Sequence, residues 1–278
     1  MTETLRQAEA RLNVIGYLAE KHITDQPDPE TGINVIDGYI VIKTDDINFV
    51  RLQIHASEFT RSGKPNKLYA GYKDIEENYH SIAEAGEEDA DYVHATGELN
   101  PYTNRQGISV MSYKVLFLDR VSTDTEPKAT YTAELYFESC RREFNKAGEE
   151  TGRVIVTGQM PTFTGIESVS LICGRNIADI VSATLKRGKT YLFLGDAKNN
   201  QVEVEREVEV LIGTPRTETY VISENELIVT GISAPYEENA FSKAAIEAAL
   251  REKELENAEE IDITPDIAIT DGVEPIGF

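Results

Sequence analysis

The 278-residue chain has no tryptophan, only three methionines, two cysteines and four histidines, and each shortage removes a class of explanation. Cys140 and Cys173 stand apart, without the paired spacing of a zinc site or a disulfide framework, so a reducing compartment is the natural setting. His22, His55, His80 and His94 form no i, i+4 pair of the metalloprotease kind and read as surface or strand residues. No apolar run approaches the ~18 residues of a membrane span, and the first residues lack the basic-then-apolar pattern of a leader. A cytoplasmic location without a membrane partner is therefore expected. Basic residues are scarce as well: 27 against 49 acidic gives a net charge of −22, which excludes a globally basic nucleic-acid binder but not a local basic patch.

Catalytic signatures are missing too. There is no G-x-S-x-G elbow and no G-x-G-x-x-G turn. Gly188-Lys189-Thr190 ends like a phosphate-binding loop, but Ala183 stands where that motif needs glycine and a helix, not a strand, precedes it. The expectation is a non-enzymatic protein with no cofactor and no metal. With 49 carboxylates, a Mg²⁺-dependent nucleic-acid enzyme stays open as an alternative.

What is present is ordinary globular material, 40% apolar and 27% charged, in a length that suits two domains. Leu5, Ala8, Leu12, Ile15 and Leu18 recur at helical spacing and predict a helix within residues 1–24, broken by Pro27 and Pro29. The pattern then changes to period two, predicting strands at 38–44, 49–56 and 67–72, a helix over 74–85, and strands at 91–99 and 108–118. Three strands, a helix and two strands over 33–121 is the element order of an OB-fold, a five-stranded Greek-key barrel. The polar stretch Ser122–Thr130 reads as a linker.

Residues 131–235 partly repeat the order, with strands at 131–138, 153–160 and 167–173, a helix at 176–186, and strands 190–195 and 201–212 paired across Lys198-Asn199-Asn200. The run Val202–Val210 alternates, one face core and the other acidic. A further strand within 219–232 is one more than a five-stranded barrel needs, so this part reads as a second OB-like β-barrel. Thr96-Gly97, Thr157-Gly158 and Thr230-Gly231, each soon followed by proline, form a faint echo. Residues 236–260 predict a helix and 261–278 an acidic flexible tail. Together Glu237–Phe278 hold 12 acidic and three basic residues. The fold class is thus mainly β: an OB-fold barrel, then an OB-like barrel, with an N-terminal helix and an acidic tail.

Single-strand binding needs cations that follow a backbone and aromatic faces on which bases stack. One window offers both: Lys43, Arg51, Arg61, Lys64, Lys67 and Lys73 lie among Phe59, Tyr69 and Tyr72, with only Asp45, Asp46 and Glu58 against them. Tyr102 and Arg105 sit in the hairpin between the last two strands, where OB-folds touch their ligands. Tyr72 completes the set as a possible stacking ring, the competing reading being half-burial of Tyr69 and Tyr72 in a solvated hairpin. Arg141, Arg142, Lys146, Phe144 and Phe163 are weaker candidates in the second domain, where a plain solvated loop explains them equally well.

The stretch Tyr92–Leu99, the loop Asn100–Gly107 and the strand Ile108–Val121 resemble the closing strands and hairpin of bacterial and phage single-stranded DNA-binding proteins. The chain end is similar as well, with Asp271 and Glu274 before Pro275, Ile276 and Phe278. The resemblance implies single-stranded DNA as partner, bound without strong sequence preference, in replication, recombination or repair in the cytoplasm of a bacterial host. It also implies that Glu274, Pro275, Ile276 and Phe278 dock a replication or recombination protein. The competing reading is a phage structural or assembly β-protein with no nucleic-acid function.

Overall fold

The computed structural model describes residues 5–104, 106–208 and 216–262, with side chains described in this set except at 202–208, 216–223 and 256–262. Ten strands and four helices follow in the order β1 (Ala10–Pro27), β2 (Asn34–Lys43), β3 (Phe49–Ser57), α1 (Lys67–Asn78), α2 (Ile82–Ala85), β4 (Tyr92–Thr103) and β5 (Ser109–Arg120). Then come β6 (Lys128–Phe144), β7 (Glu150–Pro161), β8 (Ile166–Cys173), α3 (Ala178–Thr184), β9 (Thr190–Val208), β10 (Arg216–Ile232) and α4 (Lys243–Asp262).

Each half closes into a five-stranded barrel with the same connectivity. In the first, β1 pairs with β2 and β4, β2 with β3, β4 with β5, and a parallel contact Gln53↔Lys114 closes β3 on β5. In the second, β6 pairs with β7 and β9, β7 with β8, β9 with β10, and Ile172↔Ile228 closes β8 on β10. This is the OB-fold arrangement twice over.

The barrels join through their first strands, which pair antiparallel from Ala10↔Ala133 to Ile15↔Lys128. Leu12↔Tyr131 is the centre of that pairing, and the row extends symmetrically to Gly97 on β4 and Gly195 on β9. A side-chain carbon at Gly97 would collide with the Lys114 carbonyl, and one at Gly195 with the Ile228 carbonyl. Glycine is needed at both because the outer strand folds tightly over the barrel there. Bulges between Leu18 and Glu20 and between Phe137 and Ser139 also fall at corresponding places. The chain is therefore an internal pseudo-dimer.

Several expectations are corrected by this arrangement. The N-terminal helix predicted within residues 1–24 is strand β1. Its apolar residues look helical in spacing because the strand is wedged between two barrels, so Leu12, Val14 and Ile15 are all buried whatever their parity. The strand predicted at 67–72 is the start of α1, whose face Leu68, Tyr72, Ile75 and Tyr79 has helical spacing. Asn66 caps it, its side chain accepting from the Leu68 amide at 3.1 Å. The OB order survives because the lost strand and the gained one offset each other. In the second half, residues 190–208 are one continuous strand with Lys198-Asn199-Asn200 inside it, not a hairpin, so the supposed surplus strand is β10 and the count is five. Of the alternating run 202–210, residues 202–208 belong to β9 and 209–210 lie outside the described residues. The Thr-Gly echo marks no repeat, since Gly97, Gly158 and Gly231 fall on β4, β7 and β10.

Polar contacts besides β1–β6 also fix the barrels to each other. The buried Asn48 of the β2–β3 turn donates to the Ala197 carbonyl at 3.3 Å and accepts from the Asn199 amide at 2.7 Å. Arg6 grips the buried Glu134 of β6 with two nitrogens. Lys253 of α4 donates to Thr103 Oγ1 at 3.0 Å and to the Ile166 carbonyl at 2.9 Å, and pairs with Glu167 at 2.7 Å.

Helix α1 plugs the end of the first barrel with Tyr72, 1% exposed, whose hydroxyl donates to the Val115 carbonyl at 2.5 Å. Tyr72 is a core residue, and its place among the ligand-binding candidates is withdrawn. Tyr72→Ala should cost about 3–5 kcal/mol in urea unfolding, the range for deleting a large buried ring. A variant of unchanged stability would show that the ring is not the plug.

Candidate nucleic-acid interface

The outer face of β1, β2 and β3 gathers aromatic and basic side chains that lie far apart in sequence. Register aligns His22, Tyr39, Gln53 and Lys114 in one row across β1, β2, β3 and β5. On the neighbouring rows, Arg51 lies opposite Val41 and His55 opposite Asp37. Side chains alternate between faces along a strand, so Arg51, Gln53 and His55 point outward while Leu52, Ile54 and Ala56 enter the core.

The Arg51 guanidinium stands 3.5 Å from the centroid of the Tyr39 ring, and the His22 ring lies 4.7 Å from it on a tilt of 37°. His55 Nδ1 is 3.1 Å from Asp37 Oδ1. Among the described residues, Arg51 and Lys114 have no ion-pair partner. His22, Asp37, Tyr39, Arg51, Gln53 and His55 line an open trough. A second trough shares Gln53 and His55 with it and continues past Lys114 and Asn100 to Phe163, on the β7–β8 turn of the second barrel. The arrangement offers aromatic faces, two available cations and side-chain amides in an open groove, and nothing in it resembles a catalytic constellation.

Residues 9–262 match the YorF family. The chain belongs to that family. No curated protein matches it. Among solved structures it is similar to a deletion mutant of the single-stranded DNA-binding protein from Thermus aquaticus, at 12% identity and a TM-score of 0.50, over 84% of this chain and 97% of that one. The wild-type Thermus aquaticus protein is similar at 11% identity and a TM-score of 0.48, over 86% and 99%. The first of these likenesses shows the fold, and it agrees with the OB-fold order read from the sequence.

In this YorF-family chain the sequence candidates fall into three groups. Arg51 lies on the aromatic-basic face. Phe59, Arg61 and Lys64 form a finger just past the end of β3, folded by the Thr60 amide donating to the Lys64 carbonyl at 2.8 Å, with Phe59 41% exposed. Tyr102, 42% exposed, continues the β4 face that Asn100 presents to the trough. Lys67 is exposed at the start of α1.

Others are engaged elsewhere. Lys43 pairs with Glu87 at 3.1 Å. Lys73 is held by Asp25 at 3.0 Å and Glu76 at 2.8 Å, hydrogen bonds that raise its pKa above the ordinary lysine range. Tyr69 donates its hydroxyl to Asp25 at 2.8 Å, so this ring is a brace between α1 and β1 and not an outward stacking surface. Arg105, and the tail residues Glu274, Pro275, Ile276 and Phe278, lie outside the described residues.

The basic-aromatic window of the sequence does not single out His22, Tyr39, Gln53, His55 or Lys114. A signal existed: pairing the strands at 38–44 and 49–56 around Asp45-Asp46 sets Arg51 diagonal to Tyr39 and His55 beside Asp37. Without β1 as a strand, His22 and its place beside Tyr39 were out of reach.

Although partial burial raises the Asp25 pKa, hydrogen bonds from Lys73 and Tyr69 outweigh it and hold the carboxyl below its ordinary value. A carboxylate with a depressed folded-state pKa stabilises the fold above its unfolded pKa, near 4, and that contribution disappears as pH falls through the folded value. Asp25→Asn should therefore be less stable than the parent in urea unfolding at neutral pH, with the gap closing in strong acid. A gap of equal size at both pH values would show that charge is not what Asp25 contributes.

Proposed function

We propose that this protein binds single-stranded DNA, with little sequence preference, on the outer face of its first barrel. The observation that carries the reading is the cluster of the Tyr39 ring with the Arg51 guanidinium over it and the His22 ring beside it, in an open trough. Every base has a face that can stack on an aromatic ring, so such a platform takes any sequence, while Arg51 and Lys114 meet the phosphates. The groove is formed by β-strand faces and hairpins, as in OB-folds that bind oligonucleotides. The single-stranded DNA-binding proteins of similar fold support the reading, and so do the closing hairpin and tail that resemble that class. On the same reading the protein is a non-enzymatic, cytoplasmic component of DNA replication, recombination or repair, of phage or mobile-element type. Glu274, Pro275, Ile276 and Phe278 would then recruit a partner protein.

Arg51 and Lys114 line the two troughs, and Arg61 and Lys64 lie on the finger just past the end of β3. If all four meet phosphates, log K for poly-dT should fall against log salt with a slope near −3, at about 0.7 per contact. Fluorescence anisotropy at two salt concentrations reads this directly. Preference for duplex, or an affinity indifferent to salt, would contradict the proposal and favour a structural β-protein. Tyr39→Ala should weaken poly-dT binding by ~1–3 kcal/mol without altering the fold. Unchanged affinity in that variant would remove the platform from the account.

A further inference from the structure

The internal symmetry allows a comparison that one barrel alone would not. The bulges and registers of the two halves place Arg141 where the first barrel has His22, Ile155 where it has Tyr39, Ile172 where it has Gln53, and Ser170 where it has Arg51. The second barrel therefore has an aliphatic side chain at the position of the central ring and none of its neighbours is aromatic. Arg153, at the position of Asp37, is engaged by Glu143 at 2.7 Å and Glu226 at 2.5 Å. Among the described residues, the aromatic-basic platform has no counterpart on the second barrel.

What the second barrel does present to the first is Phe163. Phe163 is 78% exposed, the most of any large apolar residue among the described residues, yet the turn that carries it is braced. The Thr162 amide donates to the Gly165 carbonyl at 2.7 Å, the Ala8 amide donates to the Pro161 carbonyl at 2.9 Å, and Lys253 ties Ile166 to Thr103 of the first barrel. The braced turn thus carries an exposed apolar ring at a fixed place in the backbone, and its surroundings give that ring a use. It lines the trough that continues from the Tyr39 platform through Gln53, His55 and Lys114.

We infer that the single-strand site is composite and asymmetric: one strand stacks on Tyr39 in the first barrel, passes Lys114, and stacks a further base on Phe163 of the second barrel, leaving the second barrel's own face unused. This rests on the single-strand-binding reading above. It makes the fixed docking of the barrels a condition for full affinity, because Phe163 reaches the path only from across the junction.

The absence of tryptophan makes the test direct. Phe163→Trp introduces a single indole on the proposed path, and Ser170→Trp introduces one at an exposed position of the second barrel's equivalent face. Each is titrated with poly-dT longer than roughly 30 nucleotides, about twice the upper site size of one such barrel. Anisotropy of labelled poly-dT runs in parallel to report binding itself. Quenching of the indole at 163 with none at 170 is expected, together with a loss of roughly 5- to 150-fold in affinity for Phe163→Ala, the equivalent of one stacked base. Binding by anisotropy without quenching at 163, or with equal quenching at 170, overturns the composite path while leaving the first-barrel platform standing. No binding by anisotropy in the parent protein overturns the function reading itself, and this inference with it.

Discussion

The antiparallel pairing of β1 with β6 is the constraint on which the rest depends. It makes two five-stranded barrels into one body, with Leu12 and Tyr131 at the centre and Gly97 and Gly195 flanking them. Backbone hydrogen bonds along six residue pairs give the junction direction and register, which a purely apolar contact would leave loose. Asn48, Glu134 and Lys253 then lock the periphery with buried or partly buried polar contacts, each costly to leave unpaired. The relative placement of Tyr39 and Phe163 follows from that rigidity.

Duplication of a fold does not require duplication of its use. The same connectivity presents a ring flanked by two cationic or aromatic groups on one barrel, and isoleucines with an ion-paired arginine on the other. A strongly acidic chain is compatible with a polyanion ligand when the few cations on one face are free and the others are consumed internally. Lys43, Lys73 and Arg153 are of the consumed kind, each paired with carboxylates, whereas Arg51 and Lys114 face the trough unpaired among the described residues. Net charge therefore says little about the face, and cross-strand neighbours say most of it.

Much of the fold was legible because period-two patterning is local. β2, β3, β4 and β5, the β6–β8 meander and the long C-terminal helix were all visible in their own residues. What failed was non-local. β1 carries apolar residues on both faces because two barrels enclose it, and that context imitates helical spacing. Leu68 and Ala70 alternate like a strand, and only the longer reach to Tyr72, Ile75 and Tyr79, with Asn66 as cap, reveals α1. The site suffered more than the fold. A basic-aromatic window along the sequence selected Tyr69, Tyr72 and Lys73, which the helix turns toward β1 and the core, and passed over Tyr39 and His22, which only register brings to Arg51.

The claim at the centre of this account is that bases lie against the β1–β3 face of the first barrel. Ultraviolet cross-linking of the protein to oligo-dT, followed by mass-spectrometric mapping of the linked peptides, tests it most directly, since a stacked thymine photoreacts with the side chain it touches. Adducts are expected on Tyr39 and within the peptides spanning 36–56. Adducts confined to α1 or to the outer face of the second barrel, with Tyr39 unmodified at saturation, would contradict it.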